Sequence, residues 1–311
     1  MSMQDRAPTT PAEYEVYRTR FNNWGRWGAD DQLGTLNHIT AEGRQRASAL
    51  VTLGHSVSCA NPIATRAVLP DERRNGSPAD HRMRVGPASS GDYIGVSYHG
   101  FVNTHIDALC HIFTGPGGRL YNDRAIDLVT EDGALTNSVD HWRDGIVTRG
   151  VLYDIPRMRG QAHVQHGEPV EGWHLEDWAK QAGVTPRPGD AVLVRSGAAP
   201  FWAANPDFQM QFPPLNTPGV GVSCLEYLYD TDAALLGWDL QEAGGQPDYG
   251  EGIPVHAIAI PHMGMPLLDN ANFERLAEVC AETGRYEFML VIAPLVVNGG
   301  TGSPVNPIAT F

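Results

Sequence analysis

Short apolar runs separated by glycine- and proline-containing turns recur along the chain and predict a series of β-strands. The first run alternates apolar and polar residues, whereas the later runs are continuously apolar or β-branched, as is typical of buried strands. The predicted strands cover residues 55–60, 94–98, 147–155, 191–196, 233–238 and 288–297.

Helical patterns lie between these runs and predict four helices. The first follows Thr40, whose hydroxyl suits an N-cap, and extends to Leu50. The others cover residues 174–181, 223–229 and 272–283, and Ser223 with Glu226 has the spacing of a capping box. Strands and helices that alternate in this way indicate an α/β fold in one compact domain.

The first 38 residues differ from the rest because they are rich in Trp, Gly and Asp. The stretch around Trp24 and Trp27 does not have the pattern of a helix or a strand. We therefore expect an N-terminal arm over residues 1–38, held by the packing of its Trp rings, and a single catalytic domain over residues 39–311. The chain is 42% hydrophobic, which is enough for a large core.

The charge of the chain argues against two classes of partner. The net charge is −14 and no cluster of Lys or Arg occurs. Binding to nucleic acid or to an anionic membrane surface depends on clustered cations, so we expect neither. We expect the partner of this protein to be a small-molecule substrate.

The four cysteines are far apart in the sequence and form no Cys-x-x-Cys pair; they are Cys59, Cys110, Cys224 and Cys280. This spacing predicts free thiols in a reducing compartment. No apolar stretch approaches the length of about 18–20 residues that spans a bilayer, and the first residues are polar. We expect a cytoplasmic protein.

The segment of residues 98–111 holds the densest group of ionisable side chains. His105 and Asp107 are two residues apart, so in an extended segment they share a face and can bind one ion. Imidazole and carboxylate ligands suit Zn, Mn or Fe. His111 follows four residues later and is either a third ligand or an acid/base group. Burying these groups in an otherwise apolar run would be costly without a metal or other partners.

This segment resembles the His-x-Gly-Thr-His-x-Asp-x-Pro-x-His signature of the metal-dependent cyclase family, which includes bacterial kynurenine formamidase and isatin hydrolase. Further segments resemble family blocks in the same order: residues 150–154, 188–193, 218–220 and 299–305. The opening at residues 23–37 is similar to the longer branch of the family. The resemblance implies a swivelling β/β/α fold with a mixed sheet and flanking helices, and a homodimer or homotetramer.

The resemblance also implies roles for individual residues. His105 and Asp107 match metal ligands of the family, and His111 matches its proton donor and acceptor. A later His and Glu, which complete a two-metal centre in the formamidases, correspond to His256 and Asp269. The expected cofactor is one or two divalent ions, zinc or manganese.

Three positions depart from the family signature. Phe101 stands where the family has its first His ligand, Asn103 replaces a Gly, and Asp269 replaces the longer Glu. A single ion bound by His105, Asp107 and either His256 or His111 is therefore the preferred arrangement. His99 replaces the missing ligand only if the chain bulges, because it lies six residues before His105.

The expected function is a metal-dependent hydrolase, of the amidohydrolase type, that cleaves an amide, cyclic imide or lactone bond of a small aromatic molecule. Candidate substrate-binding residues are Trp24, Trp27, Phe101 and Asn103, although turn chemistry explains Asn103 equally well and core packing explains single aromatic residues. The alternatives are a ring-closing or lyase reaction, and a binding protein that has lost its metal. No Gly-x-Ser-x-Gly elbow or phosphate-binding loop occurs, which argues against a serine hydrolase or a nucleotide-binding protein.

Overall fold

The computed structural model describes residues 7–65, 72–74, 76, 78–115, 117–213 and 215–311. The first six residues of the expected N-terminal arm, with its polar start, lie outside this range. Eight α-helices form within the described residues: α1 (Pro11–Arg20), α2 (Ala41–Ser48), α3 (Ile155–Arg159), α4 (Gly172–Ala182), α5 (Ala198–Ala204), α6 (Cys224–Asp230), α7 (Pro254–Ile258) and α8 (Glu274–Thr283).

The strands of the same residues range from two residues in β5 to nine in β9. They are β1 (Ser56–Ser58), β2 (Asp80–Val85), β3 (Ser90–Gly95), β4 (His105–Asp107), β5 (Arg119–Leu120), β6 (Arg124–Ala125), β7 (Val129–Thr130), β8 (Gly133–Ala134), β9 (Ile146–Asp154), β10 (Ala191–Arg195), β11 (Leu235–Trp238), β12 (Leu267–Asp269), β13 (Glu287–Ile292), β14 (Gly302–Pro304) and β15 (Ile308–Thr310).

Nine strands form one mixed sheet in the order β1-β15-β13-β9-β10-β11-β12-β4-β14. Strands β9, β10, β11 and β12 run parallel to one another. The strands on either side of this central group pair antiparallel with their neighbours. The predicted α/β fold with a mixed sheet and flanking helices is confirmed.

The central parallel strands are joined by helices, as parallel pairing requires a crossover connection. Helices α3 and α4 connect β9 to β10, helices α5 and α6 connect β10 to β11, and α7 connects β11 to β12. Helix α4 buries Leu175 and Trp178 against the sheet, and the indole N–H of Trp178 donates to the Leu152 carbonyl at 2.8 Å. The carboxyl ends of these strands therefore meet at one edge, followed by irregular segments.

All four predicted helices are present, as α2, α4, α6 and α8, and α2 begins after the Thr40 cap. Five of the six predicted strands correspond to β1, β9, β10, β11 and β13. The strand predicted at residues 94–98 overlaps only the last two residues of β3, in a hairpin with β2. The run predicted at residues 288–297 ends as a strand at Ile292, because its pairing with β9 ends there, and Leu295 to Val297 are exposed.

The predicted capping box at α6 is wrong. Ser223 makes no side-chain cap hydrogen bond; its hydroxyl instead donates to the carboxylate of Glu171. Glu226 does not reach back to Ser223 but pairs with Arg20, whose Nη2 lies 2.6 Å from Oε1. Both side chains are used for tertiary contacts, which local spacing does not reveal.

The N-terminal arm contains a helix, α1, that the sequence patterns did not predict. Thr10 and Glu13 form a capping box at its start, and Tyr14 and Phe21 are completely buried. Beyond the helix, the indole N–H of Trp24 donates to the Pro261 carbonyl at 2.7 Å. The arm is thus attached to the core through buried side chains, and the division at residue 38 stays a prediction.

The cysteines and the helix lengths bear on two further expectations. All four cysteines are buried and free, as predicted. Within the described part of the chain, no helix has the length and apolar character needed to cross a membrane.

Candidate metal centre

Two neighbouring strands at one side of the sheet, β4 and β12, bring three of the predicted ligands together. Strand β4 lies between β12 and β14, and its His105 and Asp107 are both almost completely buried. The antiparallel register with β12 places Asp269 directly opposite His105. Because alternate residues of a strand share a face, His105, Asp107 and Asp269 converge on one point.

Asp107 is at the centre of this cluster and is only 1% exposed. Its Oδ1 lies 2.9 Å from His99 Nδ1 and 3.3 Å from His105 Nε2. Its Oδ2 lies 3.7 Å from His256 Nε2 and 3.9 Å from His111 Nε2. Among the described residues, neither oxygen accepts a hydrogen bond of good geometry. A buried carboxylate surrounded by imidazole nitrogens and without hydrogen bonds suits the coordination of a cation.

His256 reaches the cluster from the first turn of α7, where Glu242 holds it twice. Glu242 Oε1 accepts the backbone N–H of His256 at 2.9 Å and also accepts from its Nδ1. The ring therefore presents Nε2 to Asp269 Oδ2, at 3.3 Å. With Nδ1 protonated, this approach is favourable only if Nε2 is also protonated or if a cation lies between the two atoms.

Asp269 is fixed by two donors at the carboxyl end of strand β11, one from its last residue and one from the segment that follows. The indole N–H of Trp238 donates to Oδ1 at 2.6 Å, and the Gln241 amide donates to Oδ2 at 2.5 Å. These bonds orient the carboxylate so that its Oδ2 also lies 3.9 Å from His105 Nε2. The shorter side chain of Asp269 thus reaches the cluster from its register position.

The pKa shifts report the negative potential of the cluster. Burial opposes the charged form of His256, but the carboxylates of Glu242 and Asp269 raise its pKa well above the ordinary value. Burial likewise opposes the charged form of His105, whose pKa is raised by Asp107 and Asp269. Burial also opposes ionisation of Asp107, yet the neighbouring imidazoles hold its pKa well below the usual range. Each shift has the sign expected where buried carboxylates attract positive charge.

The spacing of the donor atoms fits a transition metal. His105 Nε2 and His256 Nε2 lie 3.3–3.9 Å from the nearest oxygens of Asp107 and Asp269. Four ligands in a tetrahedron at about 2.0–2.1 Å from a zinc ion are about 3.3–3.4 Å apart. His105, Asp107 and Asp269 lie close enough together to hold one ion, and His256 borders this group through Asp107 and Asp269. The role of all four residues as metal ligands stays a prediction.

His99 joins the cluster because the chain loops out between it and β4. Gly100 has a φ of 120°, a conformation that favours glycine, and its carbonyl accepts from the amides of Gln241 and Asn270. The imidazole of His99 stacks on that of His111, with ring centroids 3.7 Å apart and planes within 6°. The bulge required by the sequence hypothesis is present, and it brings His99 to Asp107.

A small cavity of about 160 Å³ opens onto the cluster. It is lined by ligand candidates and His111, and on its other side by Phe101, Phe212 and Ile253. The rings of Phe101 and Phe212 pack edge to face at 5.3 Å. Phe101 therefore supplies an apolar wall at the position where the family signature has a ligand.

The other predicted substrate-binding residues do not line this cavity. Trp24 stacks on His262, and Trp27 packs edge-on against His38. Asn103 is buried, and its carbonyl accepts from His105 Nδ1 at 2.8 Å, which orients the ligand nitrogen toward Asp107. A part for these three residues in substrate binding stays a prediction.

Sequence reasoning missed Trp238, Gln241 and Glu242, which support Asp269 and His256. A signal was available, because Trp238 ends a buried parallel strand and Gln241 and Glu242 follow its carboxyl end. Ligand sites of α/β proteins are usually built at this edge of the sheet.

Comparisons with known proteins assign the chain to a family. A profile of the Cyclase family matches residues 36–243, more than half of the 311-residue chain. The chain belongs to the cyclase family. No match was found among curated protein sequences.

The fold of this cyclase-family protein is shared with solved structures. A protein described as a novel cyclase is 28% identical, with a TM-score of 0.80 over 93% of this chain and 99% of the other. Isatin hydrolase A from Labrenzia aggregata, bound to benzyl benzoate, is 20% identical, with a TM-score of 0.58 over 85% and 94%. An isatin hydrolase bound to thioisatinate is 17% identical, with a TM-score of 0.56 over 88% and 97%.

Proposed function

We propose that this protein is a metal-dependent hydrolase that cleaves an amide, cyclic imide or lactone bond of a small aromatic molecule. The observation that carries the proposal is Asp107, a buried carboxylate that accepts no hydrogen bond of good geometry from the described residues and is approached by four imidazoles. The similarity in fold to proteins described as isatin hydrolases is consistent with hydrolysis.

His105, Asp107, His256 and Asp269 are the proposed ligands of one divalent ion, zinc or manganese. A second ion would use His99 on the other side of Asp107, where His99, Asp107 and His111 also form a compact group of possible ligands. A divalent ion in this cluster supplies Lewis acidity, which polarises a substrate carbonyl and lowers the pKa of water.

His111 is the proposed acid/base residue. Burial lowers its pKa to about 4, against the opposing effect of Asp107, so the ring is neutral at neutral pH and can accept a proton. Its side chain is 27% exposed and lines the cavity, whereas His105 is enclosed. His111 Nε2 takes a proton from the attacking water and returns it to the leaving nitrogen or oxygen. The stacked ring of His99 keeps the imidazole in place.

The cavity determines what reaches these groups. Phe101, Phe212 and Ile253 form an apolar wall that favours an aromatic ring, and no Lys or Arg is among the described residues that line it. The small volume, about 160 Å³, limits the part of the substrate that lies beside the cluster to one or two rings.

The test is incubation of the metal-loaded protein with a panel of aryl amides, cyclic imides and aryl lactones, followed by mass spectrometry. The proposal predicts a ring-opened product heavier by one water from a cyclic imide or lactone, and from an amide two fragments whose masses add up to the substrate plus one water. It also predicts loss of turnover in both Asp107→Asn and His111→Ala. A product of unchanged mass would indicate ring closure or rearrangement, and products whose masses add up to that of the substrate, without added water, would indicate elimination. Either result, or turnover that survives Asp107→Asn, would overturn the hydrolase assignment.

A further inference from the structure

A second and larger cavity, of about 640 Å³, lies behind the wall of the candidate metal centre. Glu242 lines this cavity, whereas its hydrogen-bond partner His256 lines the small one. Pro213, Gly252 and Pro254 also line the larger cavity, and their chain neighbours Phe212 and Ile253 line the small cavity. The two cavities are thus separated by a single layer of residues.

Glu242, which lines the larger cavity, has one carboxylate oxygen without a hydrogen-bond donor among the described residues. Glu242 is 1% exposed, and its Oε1 is occupied by the two N–H groups of His256. Its Oε2 is buried and has no hydrogen-bond partner among the described residues. Leaving one oxygen of a buried carboxylate without a donor is costly, so a ligand that supplies a donor there gains affinity.

The surroundings of Glu242 define the chemistry of that ligand. Every charged side chain among the described residues that line the cavity is acidic, and these are Glu242, Asp248 and Glu251. Glu251 is paired with Arg18, at 2.8 Å, and Asp248 Oδ1 accepts the Gly250 N–H. The remaining lining is largely apolar and includes prolines, Leu215 and Tyr249.

One free carboxylate oxygen is too few for a divalent ion, which requires several oxygen ligands. A single acceptor beside apolar and aromatic surface matches an organic ammonium group, whose N–H donates to the oxygen while its carbon skeleton packs on the wall. The volume of the cavity is within the range of small-molecule sites.

We propose that the larger cavity is a binding site for an organic ammonium ion, whose nitrogen donates to Oε2 of Glu242. The site is separate from the metal cluster, and its occupancy does not depend on the proposed hydrolase reaction. Because the same carboxylate holds His256 through Oε1, the ligand is coupled to the orientation of a metal-ligand candidate.

Two probes of the same shape test the charge requirement. Benzylammonium and benzyl alcohol are titrated into the metal-loaded protein by calorimetry at neutral pH. We expect benzylammonium to bind at least about tenfold more tightly, which corresponds to about 1.4 kcal/mol. Equal affinity of the two probes, or no binding of benzylammonium, would overturn the proposal.

Two variants locate the bound probe. Glu242→Gln keeps a carbonyl oxygen for His256 but places an amide donor where Oε2 was, so the affinity for benzylammonium should fall about tenfold and that for benzyl alcohol should be unaffected. Asp248→Asn, in the same wall, should leave both affinities unchanged. Unchanged benzylammonium binding in Glu242→Gln, or its loss in Asp248→Asn, would place the cation elsewhere. Metal content, measured on each sample, reports separately on the hydrolase proposal.

Discussion

Removal of the Glu242 carboxylate should loosen His256 without removing any proposed ligand. Glu242 Oε1 accepts both the backbone N–H of His256, at 2.9 Å, and its Nδ1. The bond to Nδ1 leaves Nε2 directed at Asp107 and Asp269. In Glu242→Ala the ring loses its acceptor, so it can adopt the other tautomer and rotate away from the cluster.

The expected loss of zinc affinity in Glu242→Ala follows from the loss of the group that orients His256. Loss of the group that orients a metal-bound His costs about 10–100-fold in metal affinity, which is about 1.4–2.7 kcal/mol. Glu242→Gln is the matched control, because its carbonyl oxygen can accept from the same two N–H groups. We expect zinc affinity in Glu242→Gln to stay within about threefold of the wild type, because neutral acceptors hold the ring less strongly but in the same orientation.

The assay is a zinc competition titration against a chromophoric chelator, with thermal unfolding of each apoprotein as a check of folding. Folded Glu242→Ala that binds zinc as tightly as the wild type would refute the reasoning. A loss in Glu242→Gln as large as that in Glu242→Ala would show that charge, and not orientation, is what Glu242 provides.

Three further predictions concern the fold, the pH dependence and the cavity. Gly264 has a φ of 67° and an added Cβ would lie 2.3 Å from the Tyr121 ring, so Gly264→Ala should cost about 3 kcal/mol or more in urea unfolding. Gly183→Ala, with a φ of 68° and open space, should cost only about 1–2 kcal/mol, and equal losses would contradict the packing argument. Burial lowers the pKa of His262 to about 4 from 6.5, so the unfolded state binds more protons and stability is lost as the pH falls through this range. Relative to His262→Phe, the wild type should lose about 3 kcal/mol between neutral pH and about pH 4, and parallel pH profiles would rule this out. Phe101→Leu should raise KM for an aromatic substrate about two- to tenfold with little change in kcat, whereas a loss confined to kcat would place Phe101 in the chemical step.

Part of the site follows from local rules. His105 and Asp107 share a face because strand residues alternate, and this period is visible in the sequence alone. The apolar residues around them indicated burial, and both side chains are buried. The predicted helices and most predicted strands also depend on short-range patterns.

The rest of the site depends on contacts between distant segments. Asp269 meets His105 because of the register between β12 and β4, which no local pattern encodes. His99 reaches Asp107 only through the loop at Gly100, which is held by amides from residues 241 and 270. Glu242 and His256 are 14 residues apart and meet because α7 begins beside the end of strand β11.

The helix α1 escaped prediction for a different reason. Its buried residues, Tyr14 and Tyr17, are separated by charged and exposed positions, so the apolar stripe is narrow. The capping box of Thr10 and Glu13 was the available signal, and it has the same spacing as the false one at Ser223. Spacing alone does not distinguish a cap from a pair of side chains used in tertiary contacts.

The most direct test of the metal centre is a count of divalent ions per chain by elemental analysis. The wild type, Asp107→Asn and His111→Ala are purified and checked for folding in parallel. At least one zinc or manganese ion per wild-type chain is expected, with loss in Asp107→Asn and retention in His111→Ala. A folded wild-type protein that binds neither ion when supplied in excess would contradict the account.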